Sequence, residues 1–244
     1  MTFVNTFTPS AGNLMVGFSG RAGAGKNTCA ALLFRHGFVH LAFADALRAE
    51  VCAAFRADPR MLTERAQKEL DRPAFAIANS GDADYIDAMR RGGHDLQAPR
   101  SARWTLQRWG TEYRRAIDEA YWIRQVIHQI ERLRAAGHRR IAITDVRFAN
   151  ECSLVEAYGG LVVHVERPGL ASIGLGTAEH ASEQPLKLGL RAIVHNDGNF
   201  DHLHAELLRV LHGFGWRDPE ADRIMTTAGN EIDLRAPWRM PGAA

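Results

Sequence analysis

The chain has 244 residues, a formal charge of +2, and 46% apolar and 24% charged residues. That composition is ordinary for a soluble globular domain, and the length suffices to bury a core without disulfides or a structural metal. The near-neutral charge excludes a whole-molecule field that would itself point to nucleic acid or membrane.

One imbalance stands out. Of the 30 basic residues only Lys26, Lys68 and Lys187 are lysine. A GC-rich genome accounts for such a bias, so the number of arginines says nothing about partners. Cys29, Cys52 and Cys152 show no paired spacing and read as reduced thiols of a cytoplasmic protein. No apolar run approaches the roughly 20 residues that span a bilayer. Residues 1–13 lack the basic start and apolar stretch of a secretory leader. The 11 histidines have no zinc-site spacing.

In chain order, Leu14 to Phe18 is an apolar run ending in Ser19-Gly20, which predicts a buried strand entering a tight turn. Gly20-Arg21-Ala22-Gly23-Ala24-Gly25-Lys26-Asn27-Thr28 then fits G-x-x-x-x-G-K, between a predicted strand and a helix predicted over 26–36. Glycines let such a loop turn several N–H groups toward one anion. The helix start adds positive potential. Lys26 is placed to meet the outer phosphates. Ser or Thr normally follows the lysine and binds magnesium. Here Asn27 and Thr28 stand there, and either offers an oxygen.

Val39 to Phe43 predicts a second strand, and Asp45 a cap on a helix over 46–56. Residues 57–102, broken by Pro59, Pro73, Gly81, Gly92-Gly93 and Pro99, read as an insertion with one or two helices and mobile loops. Helices are expected over 103–116 and 118–136. Ile141 to Asp145 reads as a strand ending in a carboxylate that either orients magnesium or caps a helix; both roles can hold together. Arg147 is spaced to clamp a phosphate or to form a surface ion pair. A helix over 149–158, a strand over 161–165, a loop over 167–185, a strand near 191–195 and a helix over 200–213 follow. Arg167 begins the loop, which reads as a lid, since phosphoryl transfer needs arginines that close over phosphates. The tail over 216–244 shows little periodicity.

Short apolar strands alternating with helices imply a mainly parallel, covered sheet. Ligands on such sheets bind past the carboxyl ends of the strands, where Ser19-Gly20, Asp45, Asp145 and Arg167 fall. The expected organisation is one domain over 1–244. Its core is 14–56 and 103–213, its acceptor-side insertion 57–102, its lid 167–185 and its tail 216–244.

The ordered set of motifs resembles the bacteriophage deoxynucleoside monophosphate kinases, a branch of the P-loop kinases. It consists of the Gly20–Thr28 loop, Leu106-Gln107…Gly110-Thr111…Tyr121-Trp122, Thr144-Asp145-Val146-Arg147…Glu151, His164 to Gly169, His180-x-Ser182-Glu183 and Asn196-Asp197-Gly198. The resemblance implies an α/β nucleoside-monophosphate-kinase-like fold with a five-stranded parallel core. It also implies ATP with magnesium, held by Gly20 to Thr28 and by a metal set of Asn27, Thr28 and Asp145. On the acceptor side it implies Arg103, Gly110, Thr111 and Trp122; Arg147 and Glu151, from the segment after Asp145, are added to that side, and Lys26, Asp45, Asp145 and Arg167 are the candidates for the transfer itself.

Two acceptors remain open. A monophosphate brings an anionic nucleophile that needs positioning rather than a base. A hydroxyl acceptor gains from a carboxylate such as Asp45. Relatives that phosphorylate 5-hydroxymethyluracil within DNA would further need a basic channel. Arg90, Arg91, Arg100, Arg103, Arg108, Arg114 and Arg115 are candidates for it. The free deoxynucleotide is the first reading, the modified base in DNA the alternative, and a nucleotide-binding regulator without transfer the remaining one. A homodimer is compatible with the sequence.

Overall fold

The computed structural model describes residues 13–169 and 192–216. Leu14–Ser19 forms β1, with all six residues buried. A strand without a solvent face sits inside a sheet covered on both sides, and β1 is its central strand. The glycine loop follows and leads into α1, Lys26–Phe34. That helix stops two residues short of the expected end, and Phe34 is left 47% exposed rather than on the packed side with Ala30 and Leu33. β2 spans Phe38–Leu41 and α2 Phe43–Phe55.

The insertion holds more structure than its sequence suggests. α3 (Pro59–Thr63), α4 (Arg65–Lys68), strand β3 (Asp71–Arg72), two 3₁₀ turns and α5 (Ala83–Arg91) precede β4 (Arg100–Ser101), which pairs antiparallel with β3. Leu62, Phe75, Ile77, Tyr85 and Met89 are almost fully buried and share a core with Phe55, Trp109, Trp122 and Ile143. Apolar burial at about 25 cal/mol per Å² is what holds these short pieces in place. Their isolated propensity would not, because helices this short are marginal alone. Trp109, 1% exposed, lies 4.5 Å from Tyr85 and 5.3 Å from Tyr113, ring centre to ring centre.

The helix expected over 103–116 is two things: α6, Ala102–Gln107, and a π-helical stretch over Arg108–Arg115. A π turn admits an extra residue per turn and often marks a functional site. Then come α7 (Tyr121–Ala135), β5 (Arg140–Ile143), α8 (Ala149–Ala157), β6 (Leu161–Glu166), β7 (Ala192–His195) and α9 (Phe200–Gly213).

The sheet order is β2-β5-β1-β6-β7, every neighbour parallel. From β1 the chain builds toward β2 and β5 on one side, then crosses to β6 and β7 on the other. The reversal opens a crevice beyond the carboxyl end of β1. Residues of the expected lid beyond Gly169, including His180, Ser182 and Glu183, and the tail from residue 217 lie outside the described residues.

Candidate active site

The glycine loop owes its path to two close approaches. Gly20 has φ +131°, and a Cβ there would lie 2.4 Å from the Val165 carbonyl oxygen. Gly25 has φ +107°, and a Cβ would lie 2.4 Å from the Asn196 amide nitrogen. Side chains rarely adopt such φ values, and neither position has room for one. Asn196 donates from Nδ2 to the Ala24 carbonyl at 2.8 Å and so fastens the loop to the end of β7. Lys26 Nζ donates to the carbonyls of Gly20 (2.7 Å) and Arg21 (2.8 Å). Beneath the loop, buried Ser19 bonds His164 Nδ1 at 3.1 Å, and burial holds the His164 imidazole below its ordinary pKa.

Gly23, Gly25, Lys26, Asn27 and Thr28 line a cavity together with Arg48, Thr144, Asp145, Arg147, Arg167 and Asn196. Gly20, Arg21, Ala22 and Ala24 build the loop behind it without lining it. Arg167, exposed just past β6, reaches this wall, while its loop beyond Gly169 lies outside the described residues.

A second cavity lies on the other side of Asp145. Its walls contain Arg103, Gly110, Thr111, Trp122, Arg147 and Glu151, all six residues expected on the acceptor side. Trp122, buried, donates from Nε1 to the Gly110 carbonyl at 3.0 Å, which ties α7 to the π turn. Glu151 is 2% exposed. It accepts from Arg115 Nη2 at 2.5 Å and from the backbone N–H groups of Arg147 (2.7 Å) and Phe148 (3.1 Å). Burial pushes its carboxyl up to about 7, while Arg115 and the two amides pull the other way. Arg115 also lies over the Phe148 ring at 4.0 Å. Arg103 donates from Nε to Glu69 at 2.6 Å.

Asp145 stands between the cavities and lines both. Its carboxylate accepts from the backbone N–H of Phe43 (2.8 Å) and of Ala44 (2.9 Å), the first residues of α2. This corrects the expected start of that helix. Asp45 is not its N-cap: the helix begins at Phe43, and Asp45 sits in its first turn, where it bonds back to Ala42 N–H at 3.0 Å and pairs with Arg48 at 2.8 Å. The amides at the helix start are satisfied instead by a carboxylate about a hundred residues away, as exposed helix N–H groups require. Burial raises the Asp145 pKa, opposed by those amides and by Arg147 and Arg48. Asp45 lines neither cavity.

Gln107 and Lys68 are among the wall residues that drew no role from the sequence. Gln107 lines the acceptor-side cavity, is 9% exposed, and its Nε2 has no hydrogen-bond partner among the described residues. Lys68, from the insertion, lines both cavities. Its ammonium is pushed down to about 8 by burial, and Arg103, Arg48 and Arg147 add to the push.

The arginines considered for a nucleic-acid channel are largely engaged within the chain. Arg90 pairs with Asp87, Arg103 with Glu69, Arg108 with Glu112, Arg114 with Glu50, and Arg115 with Glu151. Among the described residues no cluster of His, Cys, Asp and Glu could hold a metal by itself, and no helix is long and apolar enough to cross a membrane.

A parallel sheet in this order, with a glycine loop closing β1 onto α1 and a carboxylate at the end of β5, is a P-loop fold, and the family match below makes the chain an ATP-dependent phosphotransferase. The family model of deoxynucleotide monophosphate kinases matches residues 80–207, just over half of the chain. The chain belongs to that family. The matched span carries the acceptor-side helices and β4 to β7 and leaves out the glycine loop. A protein of Acanthamoeba polyphaga mimivirus, provisionally named a deoxynucleotide monophosphate kinase, is 28% identical over 171 residues, 65% of this chain and 77% of its own. Among solved structures, a dephospho-CoA kinase from Campylobacter jejuni is similar at 12% identity and a TM-score of 0.41, over 82% of this chain and 96% of its own. A Thermus thermophilus protein is similar at 18% identity and a TM-score of 0.44, over 82% and 97%.

Proposed function

We propose that the chain transfers the γ-phosphate of ATP to a free deoxynucleoside 5′-monophosphate, giving the diphosphate and ADP. The observation that carries this reading is the pair of cavities that share Ala44, Lys68, Asp145 and Arg147. The loop-side cavity takes the phosphates of ATP, with Lys26 on the outer phosphates and Arg167 approaching from β6. The other takes the acceptor, with Arg103 and Arg147 on its phosphate and Trp122, Gly110, Thr111 and Gln107 around its nucleoside.

An oxygen of the acceptor phosphate attacks the γ-phosphorus. The bond from that phosphorus to the bridging oxygen breaks, and ADP leaves with the electron pair. The attacking oxygen is already anionic, so no base is needed; catalysis rests on alignment and on positive charge around the phosphoryl group in transit.

Magnesium fits the donor cavity, where Asp145, Thr28 and Asn27 offer only oxygen ligands. A single carboxylate suffices, because magnesium keeps several waters and takes the rest of its shell from phosphates. It would neutralise charge on the β- and γ-phosphates there.

No observation favours the hydroxymethyl base in DNA: Asp45, the carboxylate suited to activate a hydroxyl, lines neither cavity, and most arginines proposed for a strand are ion-paired. The test is to supply ATP labelled in its γ-phosphate with either free deoxynucleoside monophosphates or DNA containing 5-hydroxymethyluracil. The expected result is label in free diphosphates alone. Label in polymer alone would replace this reading with the DNA one.

A further inference from the structure

Lys68 reaches the site from α4, in the part of the chain where sequence motifs are weakest. It is one of four residues in the walls of both cavities. Of the other three, Ala44 gives its amide to Asp145, Asp145 is the anion so held, and Arg147 is the second cation. Lys68 is thus the one ammonium among the described residues that faces both sides of the junction.

Its surroundings are strongly positive. The guanidinium groups of Arg48, Arg103 and Arg147 all act on the Lys68 ammonium, and its chain neighbour Glu69 is engaged by Arg103 at 2.6 Å. Four cations gathered at a half-buried point repel one another, and burial strengthens the repulsion. A phosphate dianion placed among them turns that repulsion into attraction. Glu69 answers Arg103, Asp45 answers Arg48 and Asp145 lies among them, so the junction keeps a small net positive charge that a phosphate dianion offsets.

The two kinds of cation suit different parts of the task. A guanidinium is a rigid fork that fixes a phosphate in one orientation, as Arg103 and Arg147 are placed to do. An ammonium is a compact charge on a flexible stem, able to follow an oxygen as bonds change. In phosphoryl transfer the charge spreads over the three equatorial oxygens of the moving group while its phosphorus travels from one side to the other.

We propose that Lys68 is a catalytic residue, whose ammonium contacts both the acceptor phosphate and the γ-phosphoryl group moving to it at the junction of the two cavities. This rests on the reading of the cavities as donor and acceptor sites. Lys26 holds the outer phosphates from the donor side, and Lys68 the oxygens between donor and acceptor. The bonds made and broken are those given above, and Lys68 keeps its protons throughout.

The experiment compares the full-length protein with Lys68→Met and Lys68→Arg. Steady-state rates are measured with ATP and a deoxynucleoside monophosphate, alongside thermal unfolding. The Met variant is expected to lose about 100-fold or more in kcat, the scale of losing one positioned charge donor at a transition state. Its KM for ATP should stay within about threefold of wild type. The Arg variant, which keeps the charge, should recover at least tenfold of that loss. A Met variant with kcat within about threefold of wild type overturns the assignment, as does a loss confined to KM for ATP. If Met also lowers the unfolding midpoint, the Arg variant decides: recovery supports the role, and a stable but equally slow Arg variant overturns it. The wild-type arm separates this from the underlying reading. No diphosphate from any monophosphate overturns both, whereas equal rates in wild type and Met variant overturn the Lys68 assignment alone.

Discussion

The two halves of the site are built by different means. On the donor side a continuous stretch, Gly20 to Thr28, makes the cradle largely from its own backbone, with Asn196 fastening it from β7. On the acceptor side the walls come from α2, α4, α6, the π turn, α7, the turn after β5 and α8, residues scattered from 43 to 151. A backbone cradle is defined by spacing, so it tolerates change at most positions but not at its glycines or its lysine. A side-chain pocket depends on how distant helices pack, so its members act through one another.

The largest effect should fall on the donor side. Lys26→Ala is expected to lower kcat/KM by about a thousandfold or more while the unfolding midpoint moves by only a few degrees, because the residue faces phosphate rather than core. Near-normal turnover would remove the donor half of the account.

On the acceptor side a comparable effect should appear as stability, with a pH signature. Arg115→Met leaves Glu151 buried without its counter-charge, which costs about 3–5 kcal/mol at pH 8. Because burial holds the folded-state pKa of Glu151 above its ordinary value of 4.5, up to about 7, the native state binds more protons than the unfolded chain between those values. Its contribution to stability is therefore greatest below pH 4.5 and is lost as pH rises toward 7. Removing Arg115 raises that pKa further, so the cost of the substitution grows as pH rises above about 7 and levels off at a smaller value below it. Denaturant titrations at several pH values giving one constant difference would contradict it.

Much of the donor half was legible in the sequence, since spacing, lysine and strand-helix context occupy one window. The parallel sheet was legible for the same reason: β1, β5 and β6 are short apolar runs bounded by turns. The cap of α2 was not. Asp45 is the obvious local candidate, but Asp145 satisfies Phe43 and Ala44 from the end of the neighbouring strand β5, about a hundred residues along the chain. The insertion was under-read because its helices and turns owe their existence to Phe75, Ile77 and Tyr85 packing on α2 and the π turn, which no local window shows. Lys68 was invisible as a site residue for the same reason. Arg103, Gly110, Thr111 and Trp122 came from a family resemblance and Arg147 from its place just past Asp145, and the fold brings them, with Glu151, to one cavity.

Gln107 sharpens the comparison further. Gln107→Leu keeps the volume but removes the amide, so KM for the acceptor should rise about tenfold, the scale of one hydrogen bond, and by different factors for different bases. An equal change for every base would make Gln107 a packing residue. The smallest effect should come from Asp45→Asn. With its carboxylate spent on Ala42 and Arg48, turnover on a monophosphate should stay within about threefold, and stability should drop by about 1 kcal/mol. A loss of several orders of magnitude would restore Asp45 as a base and favour a hydroxyl acceptor.

The central claim is that the two cavities are one path, joined at Ala44, Lys68, Asp145 and Arg147. It is tested most directly by calorimetry with a single molecule in which adenosine and a deoxynucleoside are joined by a polyphosphate chain. If donor and acceptor sites meet there, the joined ligand binds at least a hundredfold more tightly than ATP or the deoxynucleoside monophosphate alone, because the second site is engaged within the same molecule. Binding no tighter than ATP, with the monophosphate still able to bind beside it, would contradict the account.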